Sequence, residues 1–162
     1  MAGEIVLITG GGRGIGAATA RLAAKRGYAV AINFKSNAEA AAKVVREIEG
    51  GGGRAIAIEG DMALEKDIDR MFEVLDRFGP LRHLVYSSGV TGKNSRFEAV
   101  STQTLRDALD INVFGAMLCA RAAIPRLSTK HGGQGGTMTF LSSVQSKIGA
   151  PGEYVWYASA KG

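Results

Sequence analysis

Residues 4–16 read Glu4-Ile5-Val6-Leu7-Ile8-Thr9-Gly10-Gly11-Gly12-Arg13-Gly14-Ile15-Gly16, and everything else in the chain is best placed relative to them. Glu4 to Thr9 is apolar, partly β-branched and of strand length. From Ile15 the pattern turns helical, with Ala17, Ala18, Ala20, Leu22, Ala23 and Ala24 set among Arg21, Lys25 and Arg26 until Gly27 stops it. Strand, glycine turn and helix in that order form the setting in which a pyrophosphate rests on a helix N-terminus. Gly10 permits the tight turn, Gly14 lets backbone approach the anion, and Gly16 lets the helix pack closely on the strand. The spacing is G-x-x-x-G-x-G, not G-x-G-x-x-G, and no Gly-Lys-Ser/Thr follows, which disfavours a P-loop nucleotide triphosphatase. On this stretch alone, a flexible turn and a methyltransferase glycine loop stay open as alternatives.

Moving outward, strands and helices are expected to alternate. Tyr28 to Phe34 reads as strand and Asn37 to Glu49 as helix, closed by Gly50 to Gly53. Arg54 to Glu59 (strand), Leu64 to Phe78 (helix), His83 to Ser88 (strand), Thr102 to Leu127 (a long helix) and Thr137 to Ser142 (strand) follow. Such alternation, with apolar strands buried on both faces, predicts an α/β fold: a doubly wound parallel sheet in one dinucleotide-binding domain spanning residues 1–162.

Composition narrows the class. With 46% apolar and 22% charged residues in 162, the chain has the makeup of a soluble globular domain. The net charge of +5 comes from scattered Lys and Arg that nowhere reach patch length, so a phosphate-bearing cofactor is expected and nucleic acid is not. The single Cys119 cannot form an internal disulfide and fits a reducing, cytoplasmic setting, as a small buried hydrophobe rather than a nucleophile. The N-terminus carries no signal-peptide pattern and no stretch of 18 apolar residues occurs, so no membrane association is expected.

At the far end stands Tyr157-Ala158-Ser159-Ala160-Lys161. A tyrosine and a lysine four apart share one helix face, where the ammonium favours transfer of the phenol's proton to a reacting carbonyl. Together, Thr9-Gly10-x-x-x-Gly14-x-Gly16 and Tyr157-x-x-x-Lys161 resemble the short-chain dehydrogenase/reductase family, over the whole chain and in the same order.

The resemblance implies a Rossmann-like fold and an NADP(H)- or NAD(H)-dependent oxidoreductase acting on a small-molecule carbonyl or alcohol, near carbonyl and 3-oxoacyl-carrier-protein reductases. It implies a catalytic set of Asn112, Ser143, Tyr157 and Lys161, with Ser142 as a fallback because Ser143 and Tyr157 lie fourteen residues apart, one more than the family's commonest spacing. Asn112 would stabilise a kink in the long helix and hold a water that links Lys161 to solvent; an exposed helix asparagine is the other reading. Gly10, Arg13, Gly14, Ile15, Gly16, Asp61, Met62, Ser88 and Gly89 would bind the cofactor, with Tyr157 and Lys161 at its nicotinamide end. Asp61 reads equally as a turn or helix-start acid.

For cofactor choice, the second strand ends Asn33-Phe34-Lys35-Ser36-Asn37 with no carboxylate for a ribose hydroxyl, so Arg13 and Lys35 favour NADP(H) over NAD(H), with Asn33 and Ser36 expected among the cofactor contacts. Lys35 also reads as a solvated loop lysine. One departure stands out: Tyr86-Ser87-Ser88-Gly89 occupies the place of the family's Asn-Asn-Ala-Gly, which removes two amides that brace the sheet and the ribose region. Tyr154 and Trp156 offer apolar surface for substrate or for packing. The long helix is nearly continuously apolar from Val113 to Ala120; the resemblance implies that it packs against a partner subunit in a homo-oligomer, dimer or tetramer, and plain core is the other reading. The family carries further strands beyond the catalytic lysine, so residues 1–162 are expected to be an N-terminal fragment of a longer domain, with an uncovered edge at the fifth strand. Two other functions compete: a non-catalytic NADP(H)-binding sensor or scaffold, motivated by residues 86–88, and a nucleic-acid module motivated by charge.

Overall fold

The computed structural model describes residues 3–162. The elements run β1 (Ile5–Thr9), α1 (Gly14–Lys25), β2 (Ala29–Phe34), α2 (Ala38–Gly50), β3 (Ala55–Glu59), α3 (Glu65–Phe78), β4 (Leu81–Tyr86), α4 (Thr102–Leu109), a π turn (Asp110–Phe114), α5 (Gly115–Leu127), β5 (Thr137–Phe140), α6 (Gln145–Ile148) and α7 (Val155–Ala160). All strands are parallel, in the order β3-β2-β1-β4-β5. Strand order reverses between β2 and β4, around β1. That puts the switch-point crevice, where α/β sheets bind ligands, at the C-terminal ends of β1 and β4.

Alternation along β1 explains why its five residues are all buried. Ile5 and Leu7 face α3 and α5, in a cluster with Phe72, Leu75, Leu84, Leu118 and Ala123. Val6 and Ile8 face α1 and α2, in a second cluster with Ala20, Val30, Ile32, Val44 and Ile48. Two covered faces make a near-continuous apolar strand stable. The fully buried expectation fails at β5, whose four residues are all exposed and which pairs only with β4. His83 ties that edge strand down, its Nδ1 lying 2.8 Å from Thr137 Oγ1 and its Nε2 3.3 Å from the Tyr28 hydroxyl.

Two further corrections have identifiable causes. β4 ends at Tyr86 and not at Ser88, because the N–H groups of Ser87 and Ser88 turn away from the ladder and donate to Thr9 Oγ1 at 3.0 and 3.1 Å. β5 ends at Phe140 and not at Ser142, whose hydroxyl donates to the carbonyl of Lys161 at 2.6 Å. The short helix α6 was not anticipated. The long helix is continuous from Thr102 to Leu127, and an 18-residue window within it has a mean hydropathy of 1.3, enough by length and composition alone to cross a membrane. Against the expectation of no such stretch, this is a composition that fits either setting, and here Leu118, Cys119, Ala123 and Leu127 are buried in the core beneath it.

Candidate active site

The glycine turn is built by exclusion of side chains. Gly10 (φ 63°) and Gly14 (φ 53°) adopt left-handed backbone. A Cβ on Gly16 would sit 2.4 Å from the carbonyl oxygen of Gly10, and one on Gly11 would sit 2.5 Å from Ile32 Cβ. α1 therefore starts hard against the end of β1. Its N-terminus has no side-chain cap and no acidic residue in its first turn, leaving backbone donors and the positive end of the helix dipole for an anion.

The turn is held from both sides. Thr9, fully buried, accepts the two N–H bonds that anchor Ser87 and Ser88. Asn33, 2% exposed, accepts from the Gly10 N–H at 3.4 Å and donates to the carbonyl of Gly60 at 2.9 Å, so its side chain ties β1, β2 and β3 together. Lys35 lies 2.6 Å from Asp61. Burial works to raise the Asp61 pKa, but the Lys35 hydrogen bond, the Ala63 N–H at 3.0 Å and the Lys35 charge outweigh it and hold the carboxyl below its ordinary value. Arg13 is exposed and makes no ion pair among the described residues.

The other wall is polar and convergent. Lys161 Nζ donates to the carbonyl of Leu141 at 2.8 Å and lies 5.8 Å from the centre of the Tyr157 ring. Burial lowers the Lys161 pKa. Asn112 sits in the π turn and is 6% exposed, which rules out the exposed-asparagine reading. Its Nδ2 donates to the carbonyls of Val90 (2.8 Å) and Ala108 (2.9 Å), and its Oδ1 accepts from the Val90 N–H at 3.2 Å. Gly89 is squeezed beside it: a Cβ there would lie 2.7 Å from Asn112 Oδ1 and 3.3 Å from Lys161 Nζ. Trp156, 4% exposed, donates its indole N–H to the carbonyl of Thr91 at 2.7 Å, fastening the loop after Gly89 to α7.

A cleft of about 480 Å³ joins the two walls. Gly10, Arg13, Gly14, Ile15, Asn33, Lys35, Ser36, Asp61, Met62, Ser88, Gly89, Tyr157 and Lys161 all border it, while Gly16 lies beneath the turn. Of the two serines, Ser142 borders the cleft with Tyr157 and Lys161. Ser143 lies just outside that lining, and its hydroxyl accepts the N–H of Gln145 at 3.2 Å. Cys119 is core: burial pushes its thiol up to about 12, and its sulfur contacts that of Met62 at 3.8 Å. Among the described residues no cluster of His, Cys, Asp and Glu is arranged to hold a metal. Two contributors escaped the sequence reading. The Leu141 carbonyl, as backbone, has no sequence signal. The Tyr86 hydroxyl does, in the replacement of the family asparagine.

The short chain dehydrogenase family model matches residues 4–162. An uncharacterized oxidoreductase, YgfF, of Escherichia coli is 42% identical over 98% of this chain and 64% of its own length. A 3-oxoacyl-[acyl-carrier-protein] reductase of Synechocystis is 31% identical over 98% of this chain and 63% of its own. The crystal structure of a short chain dehydrogenase from Burkholderia cenocepacia in complex with NADP superposes with a TM-score of 0.88 at 32% identity, covering 96% of this chain and 62% of that one. The chain thus spans a little under two thirds of the length of these relatives.

Proposed function

This chain belongs to the short-chain dehydrogenase family, and from that premise we propose that it serves hydride transfer between NADP(H) and a carbonyl or secondary-alcohol substrate. The observation that carries the reading is the meeting, in one cleft, of an uncapped helix N-terminus with the Tyr157–Lys161 pair. The residues fit a dinucleotide: the turn borders the cleft through Gly10, Gly12, Arg13, Gly14 and Ile15, a Cβ at Gly16 would push helix and turn apart beneath it, and its uncapped helix donors suit a pyrophosphate. NADP(H) is favoured over NAD(H) by charge. No carboxylate ends β2, Asn33 is spent inside the sheet, and Arg13 borders the cleft with no ion pair among the described residues.

The nicotinamide, when bound, supplies or accepts the hydride. Tyr157 gives its proton to the substrate oxygen as that oxygen gains charge. Ser143, with Ser142 the alternative nearer the cleft, hydrogen-bonds the same oxygen and stabilises the developing charge. Lys161 sets a positive charge beside the ring that has just lost its proton, and Asn112 holds the adjacent backbone of Val90. Substrates of the 3-oxoacyl or simple carbonyl class are suggested by the reductase relatives. Exposed Phe114, Met117 and Ile124 on one stripe of the long helix suit a homo-oligomer.

NADPH and NADH consumption against a panel of aldehydes, ketones and 3-oxoacyl thioesters tests the reading. NADPH is expected to be preferred, and Tyr157→Phe is expected to lower kcat by about 10²–10⁴-fold. Equal use of NADH overturns the cofactor choice. Binding of NADPH with no turnover leaves the sensor or scaffold, and undiminished turnover in Tyr157→Phe removes the phenol from the chemistry.

A further inference from the structure

Tyr86 stands where the family resemblance implies an asparagine, and its ring is 1% exposed in the core beneath the long helix. Packing alone does not use its hydroxyl, which donates to the carbonyl of Ile111 at 2.5 Å. Ile111 belongs to the π turn, where the Gly115 N–H reaches back five residues to the carbonyl of Asp110 and the α-helical register is lost. Room for the phenol comes from Gly115 itself: a Cβ there would lie 2.7 Å from the Tyr86 oxygen and 2.2 Å from the carbonyl oxygen of Met62. A large residue on β4 and a missing side chain on the helix are therefore complementary halves of one contact. Asn112 follows Ile111 directly. It clamps both backbone groups of Val90, and its Oδ1 and Lys161 Nζ close on Gly89 together.

We propose that Tyr86 is a positioning residue for the proton-transfer machinery: its hydroxyl pins the widened turn at Ile111, so that Asn112 holds Gly89 and Val90 against Lys161. The role rests on the proposed reaction. Burial raises the phenol's pKa, so it stays a donor across the working pH range. Lys161 has its own pKa lowered by burial, so a turn that loosens and admits water relieves that lowering.

Tyr86→Phe keeps the ring and removes only the hydroxyl. In the cofactor-free protein, amide exchange is expected to rise about tenfold at residues 110–116 and at Val90, the size expected for one lost buried hydrogen bond, and to stay unchanged in β1 and β2. In the active protein, kcat is expected to fall about tenfold with KM for the carbonyl substrate within about twofold. The limb of the pH profile that belongs to Lys161 is expected to move to higher pH. A tyrosine that merely packs would leave that limb where it is. Unchanged exchange at 110–116 overturns the proposal, as does raised exchange with an unmoved kcat and pH profile. A parent protein that turns over no carbonyl substrate defeats the proposed reaction and this role together, whereas an active parent with an indistinguishable variant defeats the role alone.

Discussion

The two walls of the cleft are made in opposite ways. The glycine turn, residues 9–16, is a steric object: positions 11 and 16 exclude even a methyl group, because Ile32 of β2 and the turn's own Gly10 backbone already fill the space. The tyrosine–lysine wall is a polar object. Asn112 reaches 22 residues back to Val90, Lys161 reaches 20 back to Leu141, and Tyr86 reaches 25 forward to Ile111. A wall made by omission fails all at once when something is added. A wall made by reach should lose function one bond at a time while the fold survives.

The largest expected effect is therefore in the turn. Gly16→Ala drives a Cβ to 2.4 Å from a backbone oxygen that has no rotamer to escape into, an overpacking worth about 1–3 kcal/mol or more of stability. Gly12→Ala is its control, with the nearest atom 3.5 Å away and an ordinary φ, and should stay within about 0.5 kcal/mol of the parent. Urea unfolding of the pair measures both. Equal stabilities would mean that the turn yields, and the contrast between the walls would be lost.

Next in size is the residue that joins them. Thr9→Val keeps the shape of the side chain but removes the acceptor shared by the Ser87 and Ser88 N–H groups. Leaving those donors without a partner should cost about 1–3 kcal/mol. Faster amide exchange confined to Ser87 and Ser88 would locate the loss. A variant as stable as the parent, with those amides still protected, would show that the two walls are held independently.

The same division decides how much could be read from residue order. The glycine turn was legible because its causes are local: strand, omission and helix stand within thirteen residues. The parallel sheet followed from alternation; the C-terminal end of β4 slipped because a side chain outbid the ladder, as Thr9 does for Ser87, and β4 also starts at Leu81, two residues before the expected His83. Tyr157 and Lys161 were legible because four residues on a helix is a local spacing. Asn112 could be named but its bonds could not, since the Val90 clamp depends on a π turn that no periodicity announces. The pairing of Tyr86 with Gly115 was hidden for the same reason: Tyr86 could be singled out as a departure, but nothing in residue order tied it to Gly115 until the fold brought them within contact.

The smallest effect is also the one that separates the walls most directly, because it concerns stability given up for chemistry. Burial lowers the Lys161 pKa in the folded chain below its ordinary 10.5. Between the folded and unfolded values the unfolded chain binds more protons, so stability rises as pH is raised through that window. Below the folded value, the cost of burying the ammonium is present in full. Lys161→Met removes the charge and keeps the apolar stem, so at neutral pH the variant should be no less stable than the parent, although the proposed reaction predicts that it loses turnover. Its unfolding free energy should also lack the parent's upward slope on the alkaline side. Denaturant melts of both proteins in steps from neutral to alkaline pH measure the difference, with partial exposure keeping it modest. A variant clearly weaker than its parent at neutral pH would mean that the bond to the Leu141 carbonyl outweighs the burial of the charge, and that the polar wall holds the fold as well as the chemistry.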